Sequence, residues 1–305
     1  MLKTALAMLA GLAAMSGGES AAAAQGVPVA WTIAPTGSRG AQTIQLSLSR
    51  RSGRNHTQIS RSVAAADLPG LTAAQLASAS DTPARFRIAR DAGTLDCRGK
   101  VRRMRGGGEC AFQLNAAFAQ AMRQRGIAVP TPDQQFMLAM HDVDLALIAA
   151  LHRSGYRNLD IAQLTSAAIH GVTPEYLAAL DAAGHRAGSI DRLVQMRIHR
   201  IDADYVRELA AAGPAYRNIP TDQLVSMRIH RVAAADVRAF AQAGYANLTP
   251  AQLVTLSIHR VTPAYVRDMA AAGYRRLTPE QLVNLHIHGV DANEARRANA
   301  ALRRN

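Results

Sequence analysis

Two periods divide this chain. Over residues 28–34, 42–48, 57–63 and 84–90, apolar and polar side chains alternate, which is the pattern of a strand with one wet face. Two further strands are expected around 94–101 and 109–114, with turns at 37–40, 52–56 and 91–93 and a short helix at 72–78. From Leu114 onward the period becomes helical. Thr249 can cap a helix whose first position is Pro250, and Leu253, Leu256 and Ile258 are read as one apolar face. The next segment restarts with Thr262-Pro263 and stops at Gly273, a natural left-handed terminator. The fold class expected is α+β: a small antiparallel sheet or sandwich, then an α-solenoid of short antiparallel helix pairs.

The helical part is a tandem repeat. His141, His170, His199, His230, His259 and His288 recur at intervals of 29, 29, 31, 29 and 29 residues. Gly155, Gly184, Gly213, Gly244 and Gly273 keep step fourteen residues behind the first five, and Gly126 extends the ladder upstream. Units this small bury a core only by stacking on their neighbours. Thr131, Thr221 and Thr278 stand in register with Thr249 as first-helix starts, and Thr173 with Thr262 as a second-helix start. Counting back from Gly126 puts Asn115 at a cap, Phe118 at the Tyr265 position and Met122 at the Met269 position. The array therefore begins directly after the last strand. It ends in a capping helix over 292–304, where Leu302 replaces the glycine. Two residues inserted at Gly213-Pro-Ala-Tyr216 account for the one long interval.

Residues 1–24 read as a secretory leader: Lys3, an apolar run and a small-residue stretch ending at Ala24. A membrane anchor needs about 20 apolar residues, and Ser16 to Ser20 interrupt the run. The organisation expected is thus leader 1–24, basic β-rich domain 25–114 and repeat array 115–305, in a periplasmic or secreted protein. The two cysteines, Cys97 and Cys110, fit two strands of one hairpin and would pair in an oxidising compartment; a two-cysteine zinc site is the rival. The formal charge of +13 is uneven. Residues 25–114 carry thirteen Lys and Arg against five Asp and Glu, whereas 115–305 carry twenty-one against sixteen. Such a balance suits anionic partners. For an exported chain these are a protein or an anionic cell-envelope component rather than nucleic acid.

The histidine ladder invites a metal, but packed helices lie about 8–10 Å apart, whereas zinc ligands converge within about 2.1 Å of one ion. Histidine side chains that bond the last helix carbonyls are the simpler reading, leaving only His286 and His288 close enough to share an ion. Arginine supplies the candidate partner-binding residues. Arg102, Arg103 and Arg105 would project together from a loop with Gly106–Gly108 as its tip; Arg200, Arg231 and Arg260 follow the histidines; Arg207, Arg238 and Arg267 lie in the second helices. The alternative for the helical arginines is pairing with Asp204, Glu208 and Asp268. Tyrosines at 176, 205 and 265, and at 156, 245 and 274, are expected between layers. The chain has no His-Glu-x-x-His, Gly-x-Ser-x-Gly or phosphate-loop motif. Neither catalysis nor a cofactor is expected.

The units Gln195-Met-Arg-Ile-His-Arg-Ile201 and Ser226-Met-Arg-Ile-His-Arg-Val232, preceded by a small β region, resemble the extracytoplasmic repeats appended to BlaR/MecR-type antirepressor membrane metallopeptidases and found in free-standing exported bacterial proteins. The resemblance spans nearly all of the chain after the leader. The peptidase's transmembrane helices and His-Glu-x-x-His motif are missing, so proteolysis does not carry over. What the resemblance implies is a sensing or partner-binding module. The function expected is therefore non-catalytic binding through the repeat surface, or sensing of a small molecule or polyanion by the basic β domain.

Overall fold

A computed structural model describes residues 27–36 and 43–302. The expected leader, the expected turn at 37–40 and the residues after Leu302 lie outside the described residues. The fold is α+β, an N-terminal antiparallel sheet followed by a helical region. By contacts the chain forms two units, Met1–Arg87 with Leu95–Gln113 and Ile88–Thr94 with Leu114–Asn305.

The sheet holds β1 (Val27–Pro35), β2 (Thr43–Ser52), β3 (Asn55–Ala64), β4 (Thr82–Arg90), β5 (Gly93–Arg102) and β6 (Arg105–Leu114) in the order β3-β2-β1-β6-β5-β4. Alternation buries Val29, Trp31 and Ile33 of β1 and Ile44, Leu46 and Leu48 of β2. Their neighbours face water, where Ser47 and Ser60 bond across strands at 2.7 Å. Buried Leu68, Leu71 and Leu76 come from the connection between β3 and β4, which includes α1 (Ala73–Ala77). The same connection blocks the outer edge of β4, since Arg87 N donates to Pro69 O at 3.1 Å. Cys97 and Cys110 stand on adjacent strands, with their sulfurs at a bonding distance of 1.99 Å.

The glycine run is not a loop tip. Gly106, Gly107 and Gly108 lie inside β6, opposite Ile33, Thr32 and Trp31. The turn is Arg103-Met104, both left-handed at φ 49° and 61°, and their N–H groups donate to Ser78 O and Leu76 O at the end of α1. Gly108, with Gly99 on β5, leaves the space that the Trp31 indole fills, whereas a Cβ on Gly106 would meet Lys100 O at 2.5 Å. A Cβ on Gly108 would lie 2.9 Å from the indole nitrogen and 2.2 Å from Arg98 O; one on Gly99 would lie 2.6 Å from the indole ring. The indole N–H donates to Arg98 O at 3.1 Å, and the ring meets Phe86 edge-on at 5.0 Å.

The helical unit alternates two kinds of helix. First helices are α3 (Pro132–Met140), α5 (Ile161–Ile169), α7 (Ile190–Ile198), α9 (Thr221–Ile229), α11 (Pro250–Ile258) and α13 (Pro279–Ile287). Second helices are α2 (Ala116–Gln124), α4 (Leu145–Arg153), α6 (Pro174–Ala182), α8 (Ala203–Ala212), α10 (Ala234–Gln242), α12 (Pro263–Ala271) and α14 (Ala292–Leu302). Packing runs between helices two apart, first on first and second on second, so the units build two rows rather than a series of tight hairpins. At the start of the array, buried Gln135 donates to Ala92 O and Asn115 O at 2.7 and 2.8 Å, Leu145 N donates to Asp91 Oδ2, and Arg90 pairs with Asp142 at 2.9 Å. At its end, Asn299 of α14 donates to Ala272 O, and Ala295 packs on Met269.

The capping signals act as written at Asn115, Thr131, Thr173, Thr249, Thr262 and Thr278, whose side chains accept from the first-turn N–H groups. Thr221 departs from that register. Pro220 holds the cap position of α9, and buried Thr221 is the first helical residue. Its hydroxyl meets His185 Nε2 at 3.1 Å and donates to Ala187 O. Ile258 departs too, at 51% exposed. It lies two residues beyond Leu256, which is about 200° around a helix of 3.6 residues per turn.

Replacing Gly108 by Ala is expected to destabilise the sheet unit by about 1–3 kcal/mol, through overpacking of the indole and the β5 backbone. Chemical denaturation followed by fluorescence checks this, because Trp31 is the chain's single tryptophan.

Candidate partner-binding surface

Each first helix closes the same way. The ladder histidine is the C-cap residue, directly after the last helical one, with φ between −83° and −97°. The next residue turns left-handed: Asp142, Gly171, Arg200, Arg231, Arg260 or Gly289. Its N–H and that of the following apolar residue bond back into the last turn, as in Arg200 N to Arg197 O and Ile201 N to Met196 O. This is the Schellman closure, which satisfies carbonyls that a helix end leaves bare. The buried apolar residue then leads into the next cap. Second helices close identically at Gly126, Gly155, Gly184, Gly244 and Gly273. Gly213 is the exception, extended at φ 170°, because Pro214 has no N–H for the return bond.

The histidine thus punctuates through its backbone. His288 also bonds a carbonyl of its own helix with its ring, Nδ1 to Asn284 O at 2.8 Å. His286 instead meets Tyr265 edge-on at 4.9 Å, so these two histidines serve separate contacts. No group of three or more His, Cys, Asp or Glu able to hold a metal occurs among the described residues.

Tyrosine hydroxyls tie the units together. Tyr176, Tyr205 and Tyr265 donate to Ile201 O, Val232 O and Val290 O of the next unit, each at 2.8 Å. On the opposite turns Tyr216 donates to Leu248 O and Tyr245 to Leu277 O. The insertion is taken up in a single turn of 3-10 helix, Pro214–Tyr216, that returns Tyr216 to this ladder. Arg197 and Arg228 lie over the rings of Tyr176 and Tyr205, 4.6 and 4.7 Å from their centroids.

Two rows recur on the exposed side of these closures. Ile169, Ile198, Ile229, Ile258 and Ile287, each directly before a ladder histidine, are between 47% and 59% exposed. Only at the start of the array is the equivalent residue, Met140, buried. The second row is Arg200, Arg231 and Arg260, exposed and left-handed at φ 54°, 58° and 56°. Non-glycine residues adopt that conformation at a cost of about 1–2 kcal/mol, and sister units place Gly171 and Gly289 there. Among the described residues none of the three lies within ion-pair distance of a carboxylate.

The other candidate arginines are placed as follows. Arg207 pairs with Asp204 one turn away, while Arg238 and Arg267 are exposed on second helices. Arg102, Arg103 and Arg105 gather with Lys100 and Asp81 around an open cavity of about 550 Å³ beside the β5–β6 turn. Arg102 lies 3.9 Å from Asp81. Sequence reasoning missed the isoleucine row. The available signal was the recurrence of Ile immediately before His, at a position off the buried face.

The described chain is a one-sheet domain and a two-row helical repeat array, with no helix among the described residues long and apolar enough to cross a membrane. It matches no protein-family model, no curated protein and no solved structure.

Burial raises Tyr205 to about 12 and also lifts Tyr156, Tyr216, Tyr245 and Tyr265. An unfolded tyrosine ionises near about 10. Below that pH both states hold the proton and the stabilisation is complete; above it the unfolded chain sheds the proton first. The array should therefore lose stability between about pH 10 and 12, with tyrosinate absorbance rising together with loss of helical circular dichroism. Tyr205→Phe leaves Val232 O without its partner and should cost about 1 kcal/mol by thermal denaturation. Arg231→Gly should instead raise stability by about 0.5–1 kcal/mol, because glycine adopts the left-handed conformation freely. The same denaturation measurement reads both.

Proposed function

We propose that this protein is an exported, non-catalytic interaction module that binds a protein or cell-envelope partner through the surface of its repeat array. The observation that carries the reading is the row of five half-exposed isoleucines at equivalent positions. Other positions fill the fully buried core of each unit, whereas these stay about half exposed, and repeated apolar exposure supports an interaction surface. The bonded cysteine pair and the leader-like first 24 residues support export to an oxidising compartment. The resemblance to BlaR/MecR-associated repeats supports a role in sensing or partner binding, by analogy alone.

A second reading is favoured by one observation: Lys100, Arg102, Arg103 and Arg105 share a cavity. In that reading the sheet unit senses a small anion or polyanion, as part of antirepressor-type signalling.

Crosslinking in cells that export the full chain separates the two. Ile198→Ser with Ile229→Ser should abolish crosslinked adducts, whereas Arg102→Glu with Arg103→Glu and Arg105→Glu should leave them. The reverse pattern assigns binding to the sheet unit. Adducts insensitive to both sets would overturn both readings.

A further inference from the structure

We infer that the isoleucine and arginine rows form one docking track for an extended, acidic partner segment in polyproline II conformation, carrying an apolar side chain at every third residue. The inference rests on the reading that the repeat surface binds a partner.

Charge sets the sign of the occupant. The carboxylates at the starts of the second helices are bound into those starts: Asp144 accepts from Leu147 N, Asp202 from Tyr205 N, Asp236 from Ala233 N and Asp291 from Glu294 N. Asp204 is paired with Arg207. Arg200, Arg231 and Arg260 stay uncompensated beside the isoleucines, and the left-handed backbone beneath them is one that glycine occupies in sister units. An acidic partner complements this track. A second copy of the chain would bring like rows together, at a formal charge of +13 per chain.

Spacing sets the conformation. Neighbouring packed helices lie about 8–10 Å apart, so the track offers one isoleucine per interval of that size. Polyproline II rises about 3.1 Å per residue, with three residues per turn, so one face repeats every ~9.3 Å and stays in step with the rungs. A β-strand repeats a face every ~6.8 Å and would drift out of register by a few ångströms per unit. Membrane surfaces make no such demand for periodicity and select aromatic anchors. The one tryptophan of this chain is buried in the sheet.

The test uses the full chain and a fluorescent peptide of five Val-Glu-Pro triplets, read by anisotropy. Saturable binding is expected, weakened about tenfold or more by Ile198→Ser with Ile229→Ser, and weakened by salt. The triple change Arg200→Gly, Arg231→Gly and Arg260→Gly should also weaken binding about tenfold or more while the denaturation midpoint does not fall, which separates recognition from folding. Equal binding of a scrambled peptide of the same composition would overturn the inference, as would binding indifferent to either variant set. Isoleucine-dependent binding to anionic phospholipid vesicles without peptide binding would overturn it in favour of a membrane surface. If the peptide fails but the isoleucine variant still abolishes crosslinked adducts in cells, this inference falls and the broader reading stands.

Discussion

A nine-residue helix cannot hold itself together in water. It spans about 13.5 Å, and isolated helices below about 12–15 residues are marginal even with favourable composition. Nearly every helix of this array has that length. Each must therefore start cleanly, stop cleanly and bury a face against the helix two positions on. That constraint explains the punctuation. Side-chain caps satisfy the first N–H groups, Schellman closures satisfy the last carbonyls, and the apolar residue after each closure, such as Ile201 or Val232, drops into the core. Little of the stability can reside in any single unit.

Stacking also needs register, and apolar contacts alone leave neighbours free to slide. The tyrosine hydroxyls remove that freedom, because a buried donor must find its acceptor. Tyr205 reaches Val232 O only when adjacent units are correctly placed. The insertion after Gly213 illustrates how firm this requirement is. Proline removes the N–H that closes every other second helix, yet the extra turn brings Tyr216 back to a carbonyl equivalent to the one Tyr245 uses. A change in chain length is absorbed in the backbone so that a single hydroxyl keeps its place.

Much of this was legible in the sequence because it is local. Strand alternation, Thr-Pro caps and terminal glycines act within a few residues of themselves, and all six strands and the repeat phase follow from them, although β6 begins four residues earlier than expected. What was misread turns either on a distant partner or on an exact local phase. Gly106–Gly108 look like a turn until Trp31, more than seventy residues away by sequence, is laid across Gly108 and Gly99. Thr221 looks like a cap because Thr-Asp-Gln-Leu resembles its neighbours, but one residue is missing relative to Thr249-Pro-Ala-Gln-Leu253 and the phase shifts. Ile258 looks like core because it is apolar, although its angle around the helix points it away from Leu256. The candidate site was half legible. The arginine row is visible as a repeat, but its left-handed backbone and lack of carboxylate partners are properties of the folded unit.

In a repeat protein, recurrence by itself says little about function, since packing makes most positions recur. The informative positions are those that recur against the local physics. A solvent-facing site at a helix end favours a polar side chain, yet Ile stands there in five successive units. A left-handed site after the helix favours glycine, as Gly171 and Gly289 attest, yet arginine stands there in three. Both departures cost solvation or backbone energy in every unit that carries them. Both fall on the same turn, within two residues of each other. The helix closure accounts for the histidine between them through its backbone, while the isoleucine and the arginine stand toward solvent in each unit that carries them.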